Sequence, residues 1–347
     1  MNTVSFQILD KFKLISQYFE TNEDNNVLIG LQLVFELLNI ASYFSSPTER
    51  FQISHYLIKL FDYLDSTVIV KILKYLHDSS NVQIIFESLK IVTLFASGPK
   101  LPAINATSIF HPSKMLHKNF LIQNNILAIL LKFNEYPPNN AIREQALIAI
   151  GFLAKNSPQI RDMIILQNGL EIIYKYYSPD RTTKEMEKIS WVLSILAGVS
   201  LKIPIRDLEK LALLNKIFGE LLFWRDNIEI LTNSLLGISY TMPYIQPDYE
   251  KLNLWSRILA ILTHNSILVK RSGLIALGRI INDEGQCQIL IELKMIEKFS
   301  DLLNYNSPEI KLSVVYILKK LVEKGYGSVM IFFIYMCLNG FYFVHYI

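Results

Sequence analysis

The side chains able to bind a metal or attack a bond are few in this chain of 347 residues, and their spacing does not organise them. The six histidines stand at positions 55, 77, 111, 117, 264 and 345, none with a cysteine or carboxylate at metal-ligand spacing. His111 and His117 share one stretch that has no acid or thiol beside them. Cys287 and Cys337 are far apart and read as ordinary core thiols of a reducing compartment. No G-x-S-x-G, P-loop or dinucleotide fingerprint occurs. The sequence therefore argues against an enzyme and implies no cofactor and no metal. The positions that do recur offer non-covalent chemistry: Lys90, Ile148, Trp191, Leu236, Ile275 and Tyr316, followed four residues later by Leu94, Phe152, Ile195, Tyr240, Arg279 and Lys320. Residues four apart on a helix share one face.

These positions come from overlaying similar segments. Asn140-Ala-Ile-Arg-Glu-Gln-Ala-Leu-Ile-Ala-Ile-Gly-Phe-Leu-Ala154 is a polar start running into an apolar helix, which stops at Lys155-Asn156-Ser157-Pro158. The stretches 187–198, 231–240 and 270–281 share its cadence, each with a small residue midway; 87–98 reads as an earlier copy and 310–320 as a later one. After one longer step from Lys90, the separations are about 39 to 45 residues, the period of armadillo or HEAT repeats. A helix with a wide apolar stripe cannot bury it alone, so each copy must stack on its neighbours.

Composition agrees. Half the residues are hydrophobic (51%), Gly (13) and Pro (12) are sparse, and apolar positions recur at helical spacing. The expected class is all-α: a right-handed α-α superhelix, an armadillo/HEAT-like solenoid of about seven repeats. With 34 basic and 31 acidic side chains the net charge is +3, too balanced for a nucleic-acid surface.

Along the chain, residues 1–26 read as an N-terminal cap and linker, with amphipathic Phe6–Ile15 followed by the acidic, amide-rich run 20–26. Residues 27–325 read as the solenoid. Its first repeat is expected at 27–66, the second from Thr67 with 70–76 as its middle helix, and the others at 113–158, 159–204, 205–247, 248–290 and 291–325. Pro99, Pro102 and Pro112 exclude a regular helix and mark an inserted loop. Pro137, Pro138, Pro179, Pro204, Pro243, Pro247 and Pro308 fall at or near the turns. The sequon at Asn105 follows no signal peptide. Residues 326–347 form a hydrophobic tail without Lys, Arg, Asp or Glu. Its length is near the roughly 20 residues that cross a bilayer, although Asn339-Gly340 interrupts it. The readings open for it are a membrane tail anchor, a helix capping the last repeat, or sequence that a correctly spliced gene would not encode.

The overlay resembles importin alpha, the armadillo-repeat adaptor of nuclear protein import. The match is best at Ile142-Arg-Glu-Gln-Ala-Leu-Ile-Ala-Ile-Gly-Phe-Leu-Ala154 with Asn156-Ser-Pro158 and Arg161-Asp162, and extends in order through 189–196, 231–240 and 273–281. The resemblance implies a ladder in which a Trp packs on a cargo lysine, an Asn one turn later clamps the cargo backbone, and nearby acids take the ammonium. Trp191 alone keeps the Trp, Tyr240 matches the family at its repeat, and Asn156 stands where an acid is expected. The implied cargo groove comprises Ile148, Phe152, Asn156, Trp191, Ile195, Leu236, Tyr240, Arg279 and Tyr316. Lys90, Arg279 and Lys320 would place positive charge there and disfavour a lysine-rich signal. Trp224 and Trp255 lie outside the register and read as core.

The resemblance thus implies a non-enzymatic adaptor for protein or peptide cargo, shuttling between cytoplasm and nucleus. An importin-beta-type carrier would find only Lys11 and Lys13 in residues 1–26, not the family's basic segment. Nucleic acid is not an expected partner, and a membrane is one only through the tail. The alternative is a diverged armadillo scaffold for another peptide class.

Overall fold

The computed structural model describes residues 2–21, 23–39, 66–97, 112–198, 208–224, 226–241, 254–281 and 284–324. These form seventeen helices, with no strand among the described residues. The hydrophobic tail, the loop 99–111 with Asn105, much of the first repeat, Pro204, Pro243, Pro247, His55, His111, His345 and Cys337 lie outside the described residues.

The chain divides into two compact units at Ser178 and Pro179. The first holds α1 (Asn2–Glu20), α2 (Asp24–Asn39), α3 (Ser66–Asp78), α4 (Val82–Ser97), α5 (Pro112–Gln123), α6 (Ile126–Glu135), α7 (Asn140–Ala154), α8 (Pro158–Leu166) and α9 (Gly169–Tyr176). The second holds α10 (Thr183–Ala197), α11 (Leu208–Trp224), α12 (Ile228–Thr241), α13 (Leu254–Ile261), α14 (Ile267–Ile280), α15 (Glu284–Glu292), α16 (Met295–Leu303) and α17 (Pro308–Glu323).

Each unit has an inner row of long helices. In the first, α2 packs on α4 and α4 on α7; in the second, α10 packs on α12, α12 on α14 and α14 on α17. The remaining helices lie behind them, with α3 against α4, α6 against α7, α11 against α10 and α12, α13 against α14, and α16 against α17.

The inner helices begin at a repeated polar signal. A helix start leaves backbone N–H groups without intrahelical partners, and a short polar side chain can accept from one, a contribution of about 1 kcal/mol. Asn81 Oδ1 accepts from the amide of Gln83 before α4 (3.0 Å), Asn139 from Ile142 before α7 (2.9 Å), Asn227 from Ile230 before α12 (3.0 Å), and Ser307 from Ile310 before α17 (3.4 Å). Thr182 opens α10 in a reciprocal box with Glu185.

Helix ends are satisfied by cations from neighbours. Lys118, buried on α5, donates its ammonium to the carbonyls of Phe152 (2.7 Å), Leu153 (3.2 Å) and Lys155 (2.7 Å) at the end of α7. Arg143 Nε reaches Asn134 O (3.2 Å) at the end of α6, Arg257 Nε reaches Leu222 O (2.8 Å) near the end of α11, and Lys298 Nζ reaches Leu259 O (3.2 Å) in α13. The partial negative charge of a helix C-terminus favours these placements. Between helices the chain turns through left-handed residues, Asn125 (φ 59°), Asn168 (φ 59°) and Lys294 (φ 54°).

The run 20–26, read as a linker or helix cap, leads into α2 at Asp24, whose carboxylate suits the positive end of a helix. The helix α2, within the stretch read as a first repeat, is an inner-row helix, stacked on α4 as α4 is on α7. The boundary expected between 290 and 291 falls inside α15. That helix packs on α16 and α16 on α17, so three of the described helices group in the last repeat.

The packing of α11 against α12 at Phe218 depends on Gly237, where a Cβ would overlap the fully buried Phe218 ring. Gly237→Ala is expected to cost about 1–3 kcal/mol in denaturant unfolding, because a packed core yields poorly to added volume. Phe218→Leu in the same chain should recover part of that loss.

Candidate peptide-binding face

Each recurring position stands nine residues after its helix-opening residue: Lys90 after Asn81, Ile148 after Asn139, Trp191 after Thr182, Leu236 after Asn227, Ile275 after Ser266 and Tyr316 after Ser307. A fixed count from a fixed start gives every such side chain the same angle about its helix. In all six helices the two residues that follow are buried: Ile91-Val92, Ala149-Ile150, Val192-Leu193, Gly237-Ile238, Ala276-Leu277 and Ile317-Leu318. The recurring residue itself is half-buried, or exposed at Tyr316 (53%). The positions four later, Leu94, Phe152, Ile195, Tyr240, Arg279 and Lys320, are also at least partly open to solvent.

The same count from Glu23, which precedes α2, reaches Gln32, with Glu36 four later; both are exposed. Sequence overlay missed this rung because α2 lacks the charged-start text of the other copies. The buried pattern, with Gly30 and Leu31 matching Ser88 and Leu89 at a step of 58 as Lys90 to Ile148, was the signal available.

The cations behave differently from expectation. Lys90 Nζ lies 2.7 Å from Glu87 Oε2 and 3.9 Å from the centre of the Phe35 ring, so its charge is held against α4 and α2. Lys320 Nζ donates to Gly278 O (2.6 Å) and Ile281 O (3.3 Å), capping the end of α14 as Lys118 caps α7. Arg279 stacks on Tyr240 (4.5 Å) and donates from Nη1 to Ser239 Oγ (3.0 Å). Tyr240 is therefore covered on one side by a guanidinium.

Trp191 is half-buried on α10. One turn before it stands Glu187, whose Oε1 accepts from Asn227 Nδ2 (2.9 Å); beside it Asn233 of α12 donates to Ser190 Oγ (3.2 Å). Asn156 is exposed at the end of α7 with φ 61°. Asparagine tolerates that left-handed backbone, so the fold accounts for its residue type. Trp255 is buried at 4% exposure, and Trp224 donates Nε1–H to Pro179 O (3.1 Å). Cys287 is buried.

The two units differ in charge along their rows. The first carries Glu36 and Glu144 besides the Lys90–Glu87 pair. The second carries Arg271, Arg279 and Lys320 against Glu187, with Arg271 bridged to Glu309 at 2.8 Å. Between α14 and α17 lies a cleft of about 390 Å³, lined by Leu274, Ile275, Gly278, Arg279, Leu312, Ser313 and Tyr316. Among the described residues no cluster of three or more His, Cys, Asp or Glu could hold a metal, and no helix is long and apolar enough to cross a membrane.

These rows of capped helices define an armadillo-repeat fold, and solved structures agree. A designed armadillo repeat protein in complex with the peptide (KR)4 superposes with a TM-score of 0.59 at 16% identity, covering 74% of this chain and 99% of that one. A computationally designed armadillo repeat protein for modular peptide recognition gives 0.58 at 16%, covering 72% and 98%. An engineered protein covers 94% of this chain and 82% of its own, with a TM-score of 0.64 at 14% identity. Among curated proteins the chain is similar to importin subunit alpha-1b of Oryza sativa subsp. japonica, 23% identical over 248 residues. That match takes in 70% of this chain but only 42% of the rice protein. No protein-family model matches.

If Lys320 serves α14 rather than the groove, Lys320→Met should lower unfolding stability by about 1–3 kcal/mol, the cost of leaving helix-end carbonyls without their charged donor. A neutral or stabilising effect in a denaturant melt would mean that the ammonium had been an unfavourable groove charge.

Proposed function

We propose that this chain is a non-enzymatic adaptor of protein transport between cytoplasm and nucleus, holding an extended cargo peptide along the inner helices. The observation that carries the reading is the row of matched, half-open side chains on consecutive stacked helices, with Trp191 and Glu187 one turn apart on α10. A cargo lysine laid on the indole would place its stem on the ring and its ammonium by the carboxylate, combining cation–π attraction with a charge-assisted hydrogen bond. Asn233 lies on the next inner helix and donates to Ser190 Oγ beside Trp191. The acidic first-unit row, with Glu36 and Glu144, favours basic cargo there as well.

The likeness to the rice importin alpha supports the transport setting and a location in cytoplasm and nucleus. A designed armadillo neighbour carries a Lys-Arg peptide, which supports peptide as the ligand class. A scaffold for a different peptide class is the second reading, favoured by Leu94, Phe152 and Ile195 at positions where hydrogen-bonding amides would clamp a backbone.

A lysine-rich signal peptide titrated into the full chain should bind with micromolar or better affinity. Trp191→Ala should weaken it about tenfold, within reach of the roughly 0.5–2 kcal/mol of a cation–π contact. Its melting temperature should move by no more than about 3 °C, the scale of a small change in stability for a domain of this size. A large fall in melting temperature would place Trp191 in the core, and no measurable binding would leave the scaffold reading.

A further inference from the structure

The second unit's row ends in a site whose chemistry does not suit lysine. Ile275 on α14 and Tyr316 and Leu312 on α17 give the cleft apolar walls, with Leu312 and Tyr316 about half exposed (49% and 53%). Gly278 lets the Tyr316 ring lie against α14, since a Cβ there would stand 3.2 Å from ring carbons. At about 390 Å³ the cleft is at the small end of the roughly 300–1,000 Å³ of ligand pockets. That space suits one or two side chains of a peptide.

The charges around it are cationic. Arg279 forms part of the lining, its guanidinium positioned by Tyr240 (4.5 Å) and Ser239 (3.0 Å). Lys320 lies beside it with its ammonium on Gly278 O at 2.6 Å. Nearby, Arg271 is paired with Glu309 (2.8 Å) and Lys319 with Glu323 (4.0 Å). An aliphatic or aromatic anchor flanked by carboxylates complements such a cleft, and a lysine would meet like charge on entering it.

Building on the peptide-binding reading, we infer that the α14–α17 cleft takes an acidic linear peptide with an aliphatic anchor, the anchor seated between Ile275 and Leu312 and a carboxylate at Arg279. A single partner chain with basic and acidic-apolar segments could then engage two chemically different stretches of the protein.

The test is fluorescence anisotropy on the full chain with three short labelled probes: alternating glutamate and leucine, alternating lysine and leucine, and lysine-rich. The glutamate-leucine probe should bind more tightly than its lysine-leucine counterpart by about tenfold or more, with affinity rising as salt is lowered. Arg279→Glu should reverse that preference. Leu312→Asp, at an exposed position that folding does not depend on, should weaken the acidic probe about tenfold. Equal binding of the two leucine probes, or an acidic-probe affinity indifferent to Leu312→Asp, would overturn the inference. If only the lysine-rich probe bound, the inference would fail while the adaptor reading stood; if no probe bound, both would fail.

Discussion

Helix ends must be satisfied inside a stack, and in this protein that constraint sets the register of everything else. Each inner helix starts at a capping or turn residue nine positions before a half-open side chain, so the chain repeats a rotation as well as a length. With neighbours covering its flanks, an inner helix keeps a narrow stripe for solvent, and residues four apart fall on it. Cations from adjoining helices close the far ends of two inner helices, at Lys118 and Lys320, and serve helices behind the row at Arg143, Arg257 and Lys298. The face therefore follows from backbone hydrogen bonding before any ligand is considered.

Much of this was legible from sequence because small residues and apolar stripes recur at a readable period. The all-α class and the positions of α4, α7, α10, α12, α14 and α17 follow from that pattern alone. The roles of the cations did not. Lys90 and Lys320 looked like groove charges, yet a long flexible side chain can turn toward any acceptor within its reach. Glu87 captures one and the end of α14 the other. Glu87 stands three residues before Lys90 on one helix, a spacing at which side chains meet, whereas the partner of Lys320 lies about 40 residues away in the chain and is not identifiable from spacing. The rung at Gln32 and Glu36 was hidden for a different reason: it shares with α4 the buried pair before it, Gly30-Leu31 for Ser88-Leu89, but none of its polar text.

Asn156 shows how a family's motif position can be filled for reasons of fold. Its left-handed backbone ends α7, a place where asparagine is favoured irrespective of any ligand. Trp191 and Arg279, by contrast, stand on the open stripe, where shape alone does not dictate so large a side chain. Both units stack helices in the same way while the chemistry along them differs, from an acidic row in one unit to a more cationic, apolar row in the other.

The central claim is that positions 191, 236 and 275 of the second unit share a solvent-facing row that a peptide covers. Single cysteines at those positions, and at the preceding positions 190, 235 and 274, can be placed in a chain whose Cys287 and Cys337 are replaced, and their rates of thiol labelling compared. Fast labelling of the first set, slow labelling of the second, and shielding of the first by bound peptide is the result this account requires. Equal rates in the two sets, or rates in the first set that bound peptide leaves unchanged, would contradict it.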